Sequence, residues 1–406
     1  MKSTNMIIFD KIKEAQKNLK GVAQITPITK APILSEDFGS EIYLKKENLQ
    51  LTGSFKLRGA YNRIANLSQE KRDKGVVAAS AGNHAQGLAF AAKQFDCEAT
   101  IFMPEATPLT KVSGVKYHGA NVVLTGENFD AAYAAAMKFK EEKDCEFIHP
   151  FADDDVIAGQ GTVAIEILEK IPDLKQLIVP IGGGGLISGI AIAAKAINPD
   201  IKIIGVVSSG ATAMKESYKS QMPLDSKSVR TIADGIAVKN VNPKLLNIII
   251  DYVDHIVEVT DNEIANAILF LLEKHKLVVE GAGAVATAAI MHDKIEMDDT
   301  KVCAVVSGGN IDVTMLAQII EKGLVKSSRK MNLMVTLMDK PGSLTHLSEI
   351  FRECSANIVQ IDYDRDSVKL DFGEALITIA LETKGEDHQK RIREKLKQNG
   401  YRFKQI

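Results

Sequence analysis

From about Lys74 to Pro199 the chain alternates short β-branched runs with longer stretches whose apolar residues recur every three or four positions. GVVAAS, ATIFMP and ANVVLTG have the length and composition of strands, while HAQGLAFAAKQF and FDAAYAAAMKFKEE carry helical spacing, the latter with a charged, solvated face. This alternation is that of βαβ units. QLIVPIG and KIIGVVS are apolar throughout, as strands covered on both faces must be, which predicts a parallel sheet between helical layers and an open α/β fold. Chemistry in such folds gathers at the C-terminal ends of the strands.

Near Lys322 to Lys330 the segment KGLVKSSRK turns polar and basic and reads as a linker. The order beyond it is MNLMVTLM (strand), DKPGSLTHLSEIFREC (turn and helix), NIVQIDYDR and GEALITIALET (strands), EDHQKRIREKLKQNG (helix) and YRFKQI (strand). That is a ferredoxin-like βαββαβ order. The expected domains are 1–325, with a smaller subdomain at roughly 45–150 inserted in the larger, and 326–406.

With 406 residues, 45% hydrophobic and 25% charged, the chain has material for two or three cores. A formal net charge of -2 gives no electrostatic reason to expect nucleic acid or an anionic membrane, which favours small-molecule chemistry. Cys97, Cys145, Cys303 and Cys354 are scattered singly and read as buried thiols rather than a zinc site or disulfide framework. His118, His149, His255, His275, His292, His346 and His388 lack paired metal spacing and are expected at the surface or as caps. The N-terminal apolar runs are too short for a signal-peptide core or a membrane span, so a cytoplasmic protein is expected.

Four motifs carry chemistry. In GSFKLRGA, Gly53 to Ala60, preceded by KKEN at Lys45 to Asn48, Lys56 lies among small residues and an aromatic; an imine-forming site needs that room and a desolvated amine. SAGNHAQG, Ser80 to Gly87, opens a helix after a strand, where free backbone N–H groups can hold a carboxylate. GGGGLISG, Gly182 to Gly189, joins an apolar strand to a helix without the GK[ST] of a nucleotide loop, and its amides can wrap a phosphate. KVCAVVSGGN ends a strand at Ser307, where a hydroxyl could meet a heterocyclic nitrogen.

In this order and spacing the four motifs resemble the serine/threonine dehydratases of the tryptophan-synthase-β-like family of pyridoxal-phosphate enzymes, over roughly residues 10 to 325. The resemblance implies a fold-type II enzyme of two open α/β subdomains with pyridoxal 5'-phosphate as cofactor. It implies that Lys56 binds the cofactor as a Schiff base and then serves as general base, and that Phe55 packs beside the ring. Asn83 would meet the ring hydroxyl, Gly182, Gly183, Gly184, Gly185 and Leu186 the phosphate, and Ser307 the pyridine nitrogen. Ser80, Ala81, Gly82, Asn83 and His84 would hold the substrate carboxylate, and Gly235, in IADGIAV, would belong to a segment closing over it. The implied reaction is α,β-elimination from L-threonine, and also from L-serine, giving a 2-oxoacid and ammonia.

Racemases of the family usually carry a serine immediately before the GNH triplet; here it is Ala81, so elimination is favoured. Residues Val207 to Met214 contain no acid to hold a divalent metal, and no metal is expected; a monovalent cation on backbone carbonyls, with Glu280 nearby, is left open. Residues 331 to 406 resemble an ACT domain, which implies an amino-acid effector, isoleucine or valine, near Gly342, and the family implies a homotetramer. The competing readings are a serine dehydratase or racemase, a threonine synthase, for which no extra anion pocket is visible, and a non-catalytic amino-acid sensor, against which the intact Lys56 speaks.

Overall fold

The computed structural model describes residues 2–297, 299–365 and 370–406, with side chains from residue 9 on. The chain divides into two compact units, Met1–Asp312 and Val313–Ile406. Among the described residues the first unit holds the strands β1 (Ile28–Lys30), β2 (Glu41–Lys46), β3 (Val76–Ala79), β4 (Ala99–Met103), β5 (Asn121–Leu124), β6 (Glu146–Phe147), β7 (Gln176–Pro180), β8 (Lys202–Ser208), β9 (His255–Val259) and β10 (Lys301–Val306). They form two sheets, ordered β1-β2-β10-β7-β8-β9 and β5-β4-β3-β6. Both are parallel except for β1, which runs antiparallel to β2. The chain thus leaves the larger sheet after β2, builds the smaller one, and returns.

Burial follows the apolar pattern. Every residue of β3, β4 and β7 is buried, as strands sandwiched between helices must be. ANVVLTG behaves differently: β5 is the edge of the smaller sheet, and Val123 and Leu124 are exposed. The larger core packs Leu177, Val179, Ile187, Ile190, Ile203 and Val305 against the helix Asp154–Lys170. All four cysteines are buried and free.

A cluster of charges fastens the helix Lys56–Ala65, the one that begins at Lys56. Arg58, buried to 1% exposure, grips Glu47 through Nε and Nη2, both at 2.8 Å, and Glu166 through Nη1 at 2.6 Å and Nη2 at 3.0 Å. Its Nη1 also donates to Thr162 Oγ1 at 3.1 Å. Lys45 donates to Glu166 and, at 2.9 Å, to the carbonyl of Thr26. Two cations and two carboxylates balance, and their remaining hydrogen-bonding capacity is spent on neighbouring oxygens, the condition under which buried charges are tolerated.

The second unit opens with the helix Val313–Lys326, followed by β11 (Lys330–Met338), the helix Ser343–Cys354, β12 (Asn357–Asp364), β13 (Glu374–Glu382), the helix Glu386–Gln398 and β14 (Arg402–Gln405). The sheet order β12-β13-β11-β14, antiparallel throughout, is the ferredoxin-like arrangement. Leu333, Val335, Ile377 and Ile379 form one wall of its core, and Leu347, Phe351, Ile392 and Leu396 of the helices the other. The expected linker is mostly helix, because Leu316, Ile319, Ile320 and Leu324 keep helical spacing into KGLVK. Only residues 327–329 remain outside regular elements, and an ion pair from Lys330 to Glu321 ties this helix to β11.

Replacing Arg58 by methionine leaves the two buried carboxylates of Glu47 and Glu166 with Lys45 alone to balance them. The expected loss is about 3–5 kcal/mol, measured as a drop in the urea midpoint of unfolding.

Candidate active site

The four motifs converge at the C-terminal ends of the parallel strands. Ser80 follows β3, Gly182 lies just past β7, and Ser307 follows β10. The loop carrying Phe55 and Lys56 is stitched to the end of β10 by a Ser54–Gly308 bridge, by Phe55 N–H donating to the Ser307 carbonyl at 3.2 Å and by Gly309 N–H donating to the Gly53 carbonyl at 2.8 Å. Gly53 has φ +71°, and a Cβ there would sit 2.4 Å from Asn310 Oδ1, so only glycine closes this join.

Lys56 Nζ donates to the Pro150 carbonyl at 2.9 Å and lies 5.3 Å from the centre of the Phe55 ring. Burial lowers its pKa to about 8, opposed by the charge of Glu280. Burial also pushes His84 down to about 3 and His149 to about 4, with the Lys56 charge adding to both shifts. These imidazoles are neutral. His84 Nε2 lies 2.9 Å from the Ile148 carbonyl, and its Nδ1 is buried without a partner among the described residues. His149 Nδ1 accepts the amides of Phe151 and Ala152 at 3.2 and 2.9 Å. Of the histidines expected at the surface or as caps, His149 and His388 act as caps through Nδ1, which for His388 accepts the Lys384 amide at 3.0 Å; His149 also lies beside Lys56, and His388, in the second unit, is buried with Nε2 2.8 Å from the Cys354 carbonyl.

Gly82 caps the helix Asn83–Gln94, and Ser80, Ala81 and Gly82 are half-buried beside its N-terminus. Asn83 is held from two sides: its Oδ1 accepts from Asn310 Nδ2 at 2.7 Å, and its Nδ2 donates to Glu280 Oε1 at 2.6 Å. Asn310 also donates to the Thr52 carbonyl at 2.8 Å. Burial, reinforced by Asp234, pushes the Glu280 carboxyl up to about 7. The expected cofactor and substrate contacts omitted Glu280, although it is the lone charge in the apolar run LVVEGAGAVATAAI, a visible sign of a buried acid. Ser307 is buried, and among the described residues its hydroxyl has only a long contact, 3.3 Å, to the Ala282 carbonyl.

Among the described residues no protein group accepts from the amides of Gly182, Gly183, Gly184, Gly185 or Leu186, which lead into the helix Gly185–Ile197. Crowding enforces the glycines. A Cβ on Gly183 would lie 2.5 Å from the Phe151 ring, one on Gly185 2.8 Å from the Phe151 carbonyl oxygen, and one on Gly182 2.9 Å from Ile236 Cα. Gly235 is close by, its Cβ position 2.9 Å from Ala282 Cβ and 3.6 Å from Glu280 Oε1. Five unspent amides at a helix N-terminus suit a phosphate, and a desolvated amine suits an imine with an aldehyde.

Residues 20–308 match the family described as pyridoxal-phosphate dependent enzyme, and the chain belongs to that family, with pyridoxal phosphate as its cofactor. Within it, the chain is 48% identical to the L-threonine ammonia-lyase of Thermotoga maritima, over 98% of both chains. Two solved structures resemble it at TM-score 0.74: the processed form of threonine deaminase isoform 2 from Solanum lycopersicum, 38% identical over 77% of this chain and 87% of that one, and maize serine racemase, 36% identical over 78% and 98%.

Two outcomes follow from this geometry. Gly183→Ala forces the Phe151 ring to move; such overpacking costs typically about 1–3 kcal/mol, and where that strain falls on the loop geometry that cofactor binding needs, it weakens binding by roughly 5- to 150-fold in an equilibrium titration with pyridoxal phosphate. In the cofactor-free protein, reductive trapping of Lys56 by a small aldehyde should reach half its maximal rate near pH 8, where an ordinary surface lysine would need a pH above 10.

Proposed function

We propose that this protein is an L-threonine ammonia-lyase, which converts L-threonine into 2-oxobutanoate and ammonia and also acts on L-serine. The observation that carries this reading is the desolvated Lys56 amine, placed where the four motifs meet. The full-length likeness to an L-threonine ammonia-lyase supports it.

When bound, pyridoxal phosphate supplies an electron sink conjugated to the substrate Cα. Lys56 would make the covalent link to it and, as a free amine, would take the Cα proton. An amine with its pKa near 8 is part-deprotonated at neutral pH and remains a competent base. The amides of Gly182, Gly183, Gly184, Gly185 and Leu186 would hold the phosphate, and Phe55 would pack beside the ring. Asn83 spends one amide hydrogen on Glu280 and keeps the other for the ring hydroxyl. Ser307, whose hydroxyl makes only a long contact among the described residues, would meet the pyridine nitrogen. The backbone of Ser80, Ala81, Gly82, Asn83 and His84 binds the substrate carboxylate, and the segment of Gly235 covers the substrate. Loss of the Cα proton and the β-hydroxyl releases water, and hydrolysis of the resulting enamine consumes one water, so ammonia and 2-oxobutanoate are the net products.

The racemase alternative needs a proton donor on the opposite face, and Ala81 offers a methyl group there. The second unit is read as an ACT-like regulatory domain, residues 326–406 together with the helix from Val313. Isoleucine or valine would bind near Gly342, whose φ of +88° and open surroundings bring the backbone within reach of a ligand. A cavity of about 560 Å3 lined in part by Lys340, Ser343, His346 and Glu349 adjoins it. A cytoplasmic homotetramer completes the reading; among the described residues no helix is long and apolar enough to cross a membrane.

Release of 2-oxoacid from L-threonine and L-serine, with and without isoleucine, tests the assignment directly. Lys56→Ala should lose the cofactor's visible absorbance band and lower turnover by roughly 10²–10⁴-fold or more, the usual worth of a general base. Faster interconversion of L- and D-serine than deamination of threonine would overturn it.

A further inference from the structure

We propose that Glu280 is a positioning residue of this reaction: its carboxyl, together with Asn310, holds the Asn83 amide in one orientation and, by holding or releasing a proton, sets the charge against which the Lys56 nitrogen works. The proposal rests on the pyridoxal-phosphate reading of the site but not on threonine as the substrate.

The geometry leaves Asn83 one orientation. Asn310 Nδ2 can only donate, and it is anchored at 2.8 Å to the Thr52 carbonyl, so the Asn83 atom it meets at 2.7 Å must be the oxygen. Asn83 Nδ2 then points at Glu280, whose Oε1 accepts at 2.6 Å. Rotating the amide by half a turn would set two donors against each other at Asn310 and two oxygens against each other at Glu280. The second hydrogen on Nδ2 is thereby aimed by the first.

Space for the carboxyl is provided by backbone. A Cβ on Gly308 would lie 2.1 Å from Glu280 Oε1, and one on Gly235 would come within 3.6 Å of it, so two glycines flank a carboxyl that is nearly inaccessible to solvent. Glu280 N–H donates to the Gly308 carbonyl at 3.1 Å, which fixes the residue at the head of the helix Gly281–Met291.

The charged groups acting on this carboxyl are few. Asp234, from the turn Asp234–Ile236, and Lys111, from the helix Leu109–Tyr117, form an ion pair with each other at 2.8 Å; Lys111 offsets part of the Asp234 field, which is the stronger of the two on Glu280 and favours its protonated form. Lys56 is the remaining charge, and the influence is mutual: each shifts the other toward its ionised form. One oxygen of Glu280 is engaged by Asn83, and the other can take the proton without breaking that hydrogen bond. Protonation therefore changes the charge beside Lys56 while the Asn83 amide stays in place.

These two effects separate by substitution. Glu280→Gln keeps an oxygen for Asn83 and cannot titrate; Glu280→Ala loses both. The test is a pH titration, from 6 to 9, of the visible absorbance of bound cofactor in the full-length holoenzyme without substrate. Two coupled groups give the wild type a two-step curve. Glu280→Gln should show one step, its midpoint lower by about one pH unit because an opposite charge has been removed. Glu280→Asp, which restores a titratable carboxyl, should recover two steps, and it serves equally if the glutamine variant folds poorly. A glutamine or aspartate curve superimposable on a one-step wild-type curve overturns the proposal. Because no substrate is present, a holoenzyme inactive on threonine would refute the substrate assignment and leave this titration informative.

Discussion

The structure is organised around Arg58. Its guanidinium holds two carboxylates from opposite directions, Glu47 beyond the end of β2 and Glu166 on the helix Asp154–Lys170. Lys45 closes the ring of charges. A planar fork with five donors can satisfy such a node, whereas an ammonium cannot. Lys56 lies two residues upstream on the same helix, so its amine inherits its position from this charge cluster.

The surroundings of that amine have a common physical basis. Burial drives Lys56, His84 and His149 downward and Glu280 upward, so four ionisable groups are all pressed toward neutrality. A site of this kind keeps its polarity in backbone amides and carboxamides rather than in fixed charges. Gly53, Gly183, Gly185 and Gly308 serve the same end, because each lets backbone approach where a methyl group would collide.

Much of this was legible in the residues. Apolar strands and helical spacing gave the parallel sheets and the ferredoxin-like unit, and the four motifs led to Lys56, Asn83, the glycine loop and Ser307. Features set by distant partners were not legible. Arg58 and Glu166 lie 108 positions apart, and nothing local in either shows that they pair. His149 reads as a surface residue until Phe151, Lys56 and its own turn are folded around it. ANVVLTG has the composition of an inner strand, and only the sheet order makes it an edge. KGLVKSSRK looked like a linker because its charges masked the apolar spacing of the preceding turns.

The floor of the glycine loop comes from another part of the chain. Phe151, in the stretch that follows β6 of the smaller sheet, packs beneath Gly183 and Gly185, which follow β7 of the larger one. A ligand held there joins two halves that the polypeptide folds as separate layers. By mass action, any ligand that binds only the folded chain adds RT ln(1 + [L]/Kd) to its stability, about 2.7 kcal/mol at a hundredfold excess over Kd. The cell's supply of vitamin B6 would then govern how long this protein survives proteolysis, as well as how fast it works.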